Sequence, residues 1–215
     1  MSDRSSRLAP LTGAVFAVLI VVAIVTGGET PESSASPAKV IAYYTTHGSE
    51  VETSSLLFGV AFLFLVLFAG ALRSYLRKTP AAEGLSALVL AGGVLMAVGA
   101  LLGSGIEYGL ARQLKHLGPQ SAQTLSFLSE ELFLPVVVGA LILAVSSGLA
   151  ILRGARLPNW LGWVAIVLGI VAVIPPASFP ALLGFVIWSV VVSILMYLRT
   201  GPAASPTADG SRALS

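Results

Sequence analysis

His47 and His116 are the two histidines of the chain, and Glu50, Glu52, Glu107, Glu130 and Glu131 fall in the same polar stretches. Imidazole nitrogen and carboxylate oxygen together suit zinc or another divalent cation. The sharpest reading makes His47, His116 and Glu107 ligands of one metal ion that joins two loops, with Glu131 as support. The spacing matches no metal signature: there is no H-x-x-x-H and no H-E-x-x-H. The plainer reading is that polar residues collect in loops wherever the rest of a chain is apolar. Cysteine is absent, which excludes disulfides, thiolate metal sites and cysteine nucleophiles. No GxSxG, P-loop or dinucleotide fingerprint occurs, so no catalytic or cofactor-binding residue is assigned and no cofactor is expected.

The elements that would position these groups are apolar helices. Of 215 residues, 56% are hydrophobic and 10% charged, and the mean hydropathy is +0.92. Soluble domains carry roughly 25% charged residues, so this chain needs a bilayer to cover it. A net charge of +2 gives no reason to expect nucleic acid. Six apolar runs stand out: Leu8 to Gly27, Ser55 to Leu72, Leu85 to Ile106, Leu132 to Leu152, Trp160 to Ile174 and Phe179 to Leu198. A helix needs about 20 residues to cross the hydrocarbon. The fifth run is short and stops at Pro175-Pro176; residues 157–159 extend it toward a full span. The pattern predicts an all-α, polytopic six-helix bundle over residues 8–199. Residues 1–7 form a cytoplasmic segment, and residues 200–215, rich in Pro, Ala, Ser and Thr, a disordered cytoplasmic tail.

Basic residues fix the expected orientation. Arg4, Arg7, Arg73, Arg77, Lys78, Arg153, Arg156, Arg199 and Arg212 share one side, against Lys39, Arg112 and Lys115 on the other. Nine against three places both termini in the cytoplasm, in a multi-pass protein of the plasma membrane. Trp160, Trp163 and Tyr197 fit an aromatic belt at the inner face. Leu72-Arg73, Leu152-Arg153 and Leu198-Arg199, each followed by a proline, read as one stop-transfer solution reached three times. The first run is longer than a signal-peptide core and reads as an uncleaved anchor.

In the first outer loop, Ser36-Pro37 opens a short amphipathic helix with Val40, Ile41 and Tyr44 on one side. Gly48 is expected to end it in the left-handed conformation, and Ser49 to Glu52 to form a capping box for the second span. In the second outer loop Gly118-Pro119 is a break, and a helix over Ser121 to Leu134 leads into the fourth span.

Glu107 lies in the run LLGSGIEYGL (101–110), 22 residues after Leu85. At about 1.5 Å per residue it sits roughly 33 Å along the helix, at the outer boundary of the membrane. The centres of the spans hold no charged residue, which weighs against an ion-coupled transporter. Small residues form stripes: Gly92, Gly99 and Gly103; Ala140, Ala144 and Gly148; Gly162, Ala165, Gly169 and Ala172. They suit close helix packing within the bundle, or a homo-oligomer face. Ser146, Ser147, Ser189 and Ser193 are expected to bond to helix carbonyls.

The segments KVIAYY (39–44), LRSYLRK (72–78) and LPNWLGW (157–163) carry a family likeness. Over about Leu8 to Leu198 the chain resembles uncharacterised six-span integral membrane proteins of actinobacteria, a domain-of-unknown-function family. The resemblance implies a helical plasma-membrane protein and carries no activity with it. The leading expectation is a non-enzymatic protein that binds membrane lipids or a partner. A transporter or channel, and an outward-facing metal-dependent enzyme, are the alternatives.

Overall fold

The computed structural model describes residues 8–31 and 35–199, so the expectations for residues 1–7 and 200–215 lie outside the described residues. Among the described residues the secondary structure is entirely helical. A single 3-10 turn (Ala9–Leu11) leads into α1 (Thr12–Gly27), followed by α2 (Pro37–Leu76), α3 (Glu83–Gln113), α4 (Pro119–Glu131), α5 (Phe133–Leu152), α6 (Asn159–Val171) and α7 (Ser178–Arg199). Proline and glycine set most of the boundaries. Gly28 (φ 64°) and Gly154 (φ 99°) take the left-handed turns that follow α1 and α5. Pro37 and Pro119 open α2 and α4, and Ser36 caps α2 by accepting from the Lys39 amide at 3.4 Å, as its sequence predicts.

Five helical stretches are long and apolar enough to cross a membrane: Ala9–Gly27, Pro37–Leu76, Pro80–His116, Pro119–Leu152 and Pro175–Arg199. The sixth expected span is shorter than its apolar run. α6 has 13 residues, about 20 Å against the ~30 Å of hydrocarbon. It ends before Ile174 because Pro175-Pro176 begins a 3-10 turn. The side chains turned outward are aliphatic, with Val18 63%, Val25 77% and Ile187 67% exposed. Such a girdle is stable only against lipid.

The segment expected as the first outer loop departs from expectation. Residues 37–76 form one helix of 40 residues with a kink at His47 (φ −112°, ψ 15°). Gly48 has no left-handed conformation, and Ser49 does not cap a new helix; its carbonyl accepts the Thr53 hydroxyl at 2.9 Å. The reason is tertiary. Val40, Tyr44 and Val51 are buried in one cluster with Leu110 of α3 and Ala122 of α4, so both sides of the kink share a single packing surface. In the segment expected as the second outer loop, Pro119 opens a helix as predicted, and α4 is joined to α5 at Leu132 (φ −69°, ψ −3°).

Neighbouring helices pack in the order α1, α2, α3, α5, α6, α7, and α7 returns to α1, which closes a ring. α4 caps one end, against α2 and α3. The small-residue stripes are covered by the chain's own helices. A Cβ on Gly92 would lie 2.5 Å from the Leu143 nitrogen and 2.7 Å from the Gly139 oxygen; one on Gly139 would meet the Met96 nitrogen at 2.5 Å. Gly148 and Gly162 make the same reciprocal contact between α5 and α6. At the other end, rich in arginine, the ring interior is filled by Phe68, Leu72, Leu143, Trp188 and Met196. There the Trp188 indole donates to the Leu161 carbonyl at 3.0 Å. Tyr75 donates to the Arg156 carbonyl at 2.8 Å, and Arg199 donates to the same oxygen. Ser146, Ser147 and Ser189 bond to helix carbonyls as expected, whereas the buried Ser193 hydroxyl has no partner.

The glycine contacts carry a prediction. Gly92→Ala or Gly139→Ala forces backbone apart and is expected to destabilise the bundle by about 1–3 kcal/mol. Gly70→Ala, where nothing lies within 4 Å of the new atom, serves as the control. Unfolding of detergent-solubilised protein with increasing SDS, followed by circular dichroism, measures the difference.

Candidate functional site

The ring is filled at its arginine-rich end and open at its α4 end. α6 is shorter than the helix it packs on. Gly162 packs on Gly148, and from Gly148 α5 continues for 15 residues to Phe133, about 22 Å. From neighbouring Leu161, α6 runs only ten residues to Val171, about 15 Å. A cavity of about 250 Å³ lies between α1, α2, α3, α5 and α7, with Phe179 to Val186 of α7 along one wall.

The walls of this cavity are almost wholly apolar. Phe16 and Ile20 contribute from α1, Phe58 and Phe62 from α2, Met96 from α3, and Phe179 and Leu182 from α7. Gly99 and Gly103 leave α3 without side chains where it faces α5, and a Cβ on Gly99 would lie 2.8 Å from Pro135. Polar atoms meet the cavity at one end only, from Ser104, Glu107 and Ser129. The Ser104 hydroxyl is already committed to the Ala100 carbonyl at 2.7 Å. Ser129 donates to the Ser126 carbonyl at 2.7 Å and is the hydrogen-bonding neighbour of the Glu107 carboxyl group. No ion pair to Glu107 forms among the described residues. Above Glu107, the buried cluster of Val40, Tyr44, Leu110 and Ala122 forms a roof. Tyr43 ties α1 to that roof by donating to the Gly27 carbonyl at 3.1 Å.

The expected metal ligands do not converge. Among the described residues no group of three or more His, Cys, Asp or Glu side chains could hold a metal ion. The His47 ring stacks on Tyr43 at 5.0 Å, with Nδ1 3.3 Å from the Tyr43 carbonyl oxygen. His116 is exposed in the 3-10 turn Leu114–His116, nine residues beyond Glu107 and so roughly 13 Å farther along the chain. Glu131 is exposed at the last position of α4. Glu107 alone of the expected set lines the cavity. Glu52 instead pairs with Arg112 at 3.8 Å, and Arg112 is held by the Tyr108 hydroxyl at 2.6 Å. Among the described residues Glu107 therefore lines the cavity while His47 and His116 lie outside its lining.

The aromatic lining from Phe16, Phe58, Phe62 and Phe179 carries no sequence signal of its own, because each residue also suits a packed core. No protein family, no curated protein and no solved structure matches this chain.

Zinc titrated into the purified protein and followed by calorimetry is expected to give the same response in the parent and in His47→Ala. A stoichiometric site that disappears in the variant would restore the metal reading.

Proposed function

We propose that this chain is a non-enzymatic plasma-membrane protein that holds one apolar chain of a membrane amphiphile in the cavity at the α4 end. The single observation that carries the reading is the cavity itself: about 250 Å³ of apolar space with polar atoms at one end. An aliphatic-lined cavity of roughly 150 Å³ already suffices for a benzene-sized guest. One alkyl segment suits the larger space, while a whole two-chain lipid exceeds it. The apolar walls support entry of a chain from the bilayer, without passage through water.

In this reading the chain crosses the membrane six times. Residues on either side of α6 complete its short pass, and the arginine-rich end faces the cytoplasm with both termini. The cavity then opens in the outer half of the bilayer. Because the natural sequence has no cysteine, single cysteines report topology directly. Lys115→Cys is expected to react with a membrane-impermeant maleimide in intact cells, and Arg77→Cys only after lysis; the reverse pattern overturns the orientation.

Occupancy is tested by native mass spectrometry of protein extracted in mild detergent. The parent is expected to retain one chain-bearing molecule per protein. Ala100→Phe, which directs a ring into the cavity, is expected to lose it while keeping its helical signal. Protein that carries no bound amphiphile under these conditions contradicts the reading.

A transporter is the second reading, favoured by the fact that the cavity reaches Ser104 and Glu107. Against it stand the large side chains that fill the other half of the ring, Phe68, Leu143 and Trp188. A path across the membrane would require all three to move.

A further inference from the structure

The polar end of the cavity has a definite charge character. Glu107 is its one ionisable side chain. Its hydrogen-bonding neighbour Ser129 is neutral, and no lysine, arginine or histidine forms an ion pair with it among the described residues. A carboxylate beside an apolar chamber loses hydration and gains most from a positively charged partner that also donates hydrogen bonds. The described residues supply none, so a ligand is the available source.

The wider rim has the same sign. Six of the ten acidic residues (Glu29, Glu50, Glu52, Glu107, Glu130 and Glu131) belong to the end that carries Glu107. Among the described residues three basic ones, Lys39, Arg112 and Lys115, belong to that end, and Arg112 is engaged with Glu52. A rim of this kind attracts cations and repels phosphate or carboxylate heads before they reach the cavity. Phospholipids with anionic heads are disfavoured on that ground, and zwitterionic ones must bring a phosphate past the same acids.

Geometry restricts the tail as well. The volume of about 250 Å³ lies along α3 from Met96 to Glu107, eleven residues and therefore about 16 Å of helix. That is a chamber for one extended alkyl chain with its head at Glu107. Phe58, Phe62 and Met96 offer a smooth wall with no hydrogen-bond donors for a second polar group. We infer that the cavity is a site for a single-chain cationic amphiphile whose ammonium group pairs with the Glu107 carboxylate while its alkyl chain lies between α1, α3 and α7. The inference rests on the chain-binding reading above and adds the head-group chemistry to it.

Trp188 provides a reporter. It is 2% exposed, and its ring stacks at 5.5 Å on Phe185, which lines the cavity. In a protein carrying Trp160→Phe and Trp163→Phe, Trp188 is the sole tryptophan. This protein is placed in phosphatidylcholine nanodiscs and titrated with three probes of equal length, each brominated in mid-chain: a primary alkylamine, the corresponding alcohol and the corresponding fatty acid. Bromine on a chain in the cavity quenches Trp188 at short range.

The expected result is half-maximal quenching by the amine at about tenfold lower concentration than by the alcohol, with the acid weaker still. Glu107→Gln, which keeps the shape and the hydrogen bond to Ser129, is expected to bring the amine to within about twofold of the alcohol. Equal quenching by all three probes in the parent, or an amine preference that survives Glu107→Gln, overturns the head-group assignment and leaves chain binding standing. No quenching by any probe, with Trp188 emission otherwise normal, removes chain binding and the head-group assignment with it. Increasing salt is a further check, since an amine advantage that comes from the rim alone falls with ionic strength and one made at Glu107 itself falls much less.

Discussion

The contact between Gly92 and Gly139 is the constraint on which the rest of the bundle depends. Each glycine lets its helix approach until the missing side chain would meet the backbone of the other. In lipid there is little hydrophobic force between helices, so close van der Waals fit must hold them. Repeating that contact at Gly99 with Pro135 and at Gly148 with Gly162 joins α3, α5 and α6 into one tight plate. The remaining helices, α1, α2 and α7, close the ring on its open side. Because the plate cannot spread, the space that it encloses with α1, α2 and α7 is not taken up by neighbouring helices. It persists as the cavity.

Charge distribution and packing agree with this division. One end of the ring is tied by tyrosine and arginine donors to the Arg156 carbonyl and filled with large side chains. The other end is roofed by a separate cluster, and its acids outnumber its bases. The two ends therefore differ in both density and sign. A molecule with a positive head and an apolar tail has a lower free energy at one of them than at the other, without any moving part.

Much of the fold was legible in the sequence, because lipid imposes simple rules. Apolar runs longer than a bilayer must be helices, and Ser36, Pro37, Gly118 and Pro119 mark starts and breaks by local chemistry. The stripes of Gly and Ala also pointed correctly to close helix contacts. What local chemistry could not show was tertiary in origin. Gly48 and Ser49 look like a stop and a new start, yet packing of Tyr44 and Val51 on α3 and α4 carries α2 through them with only a kink. Likewise the spacing placed Glu107 at a boundary but could not say whether it faced lipid, rim or interior. His47 and His116 looked equivalent to Glu107 as polar loop residues; only the rotation of α3 separates them.

The shortness of α6 reaches beyond the protein. In the six-span reading, a helix of 13 residues among longer ones presents a hydrophobic mismatch to the lipids beside it. Adjacent lipids would shorten or tilt to meet it, at a cost of fractions of a kcal/mol per ångström. Thicker membranes would then strain that boundary and thinner ones relax it.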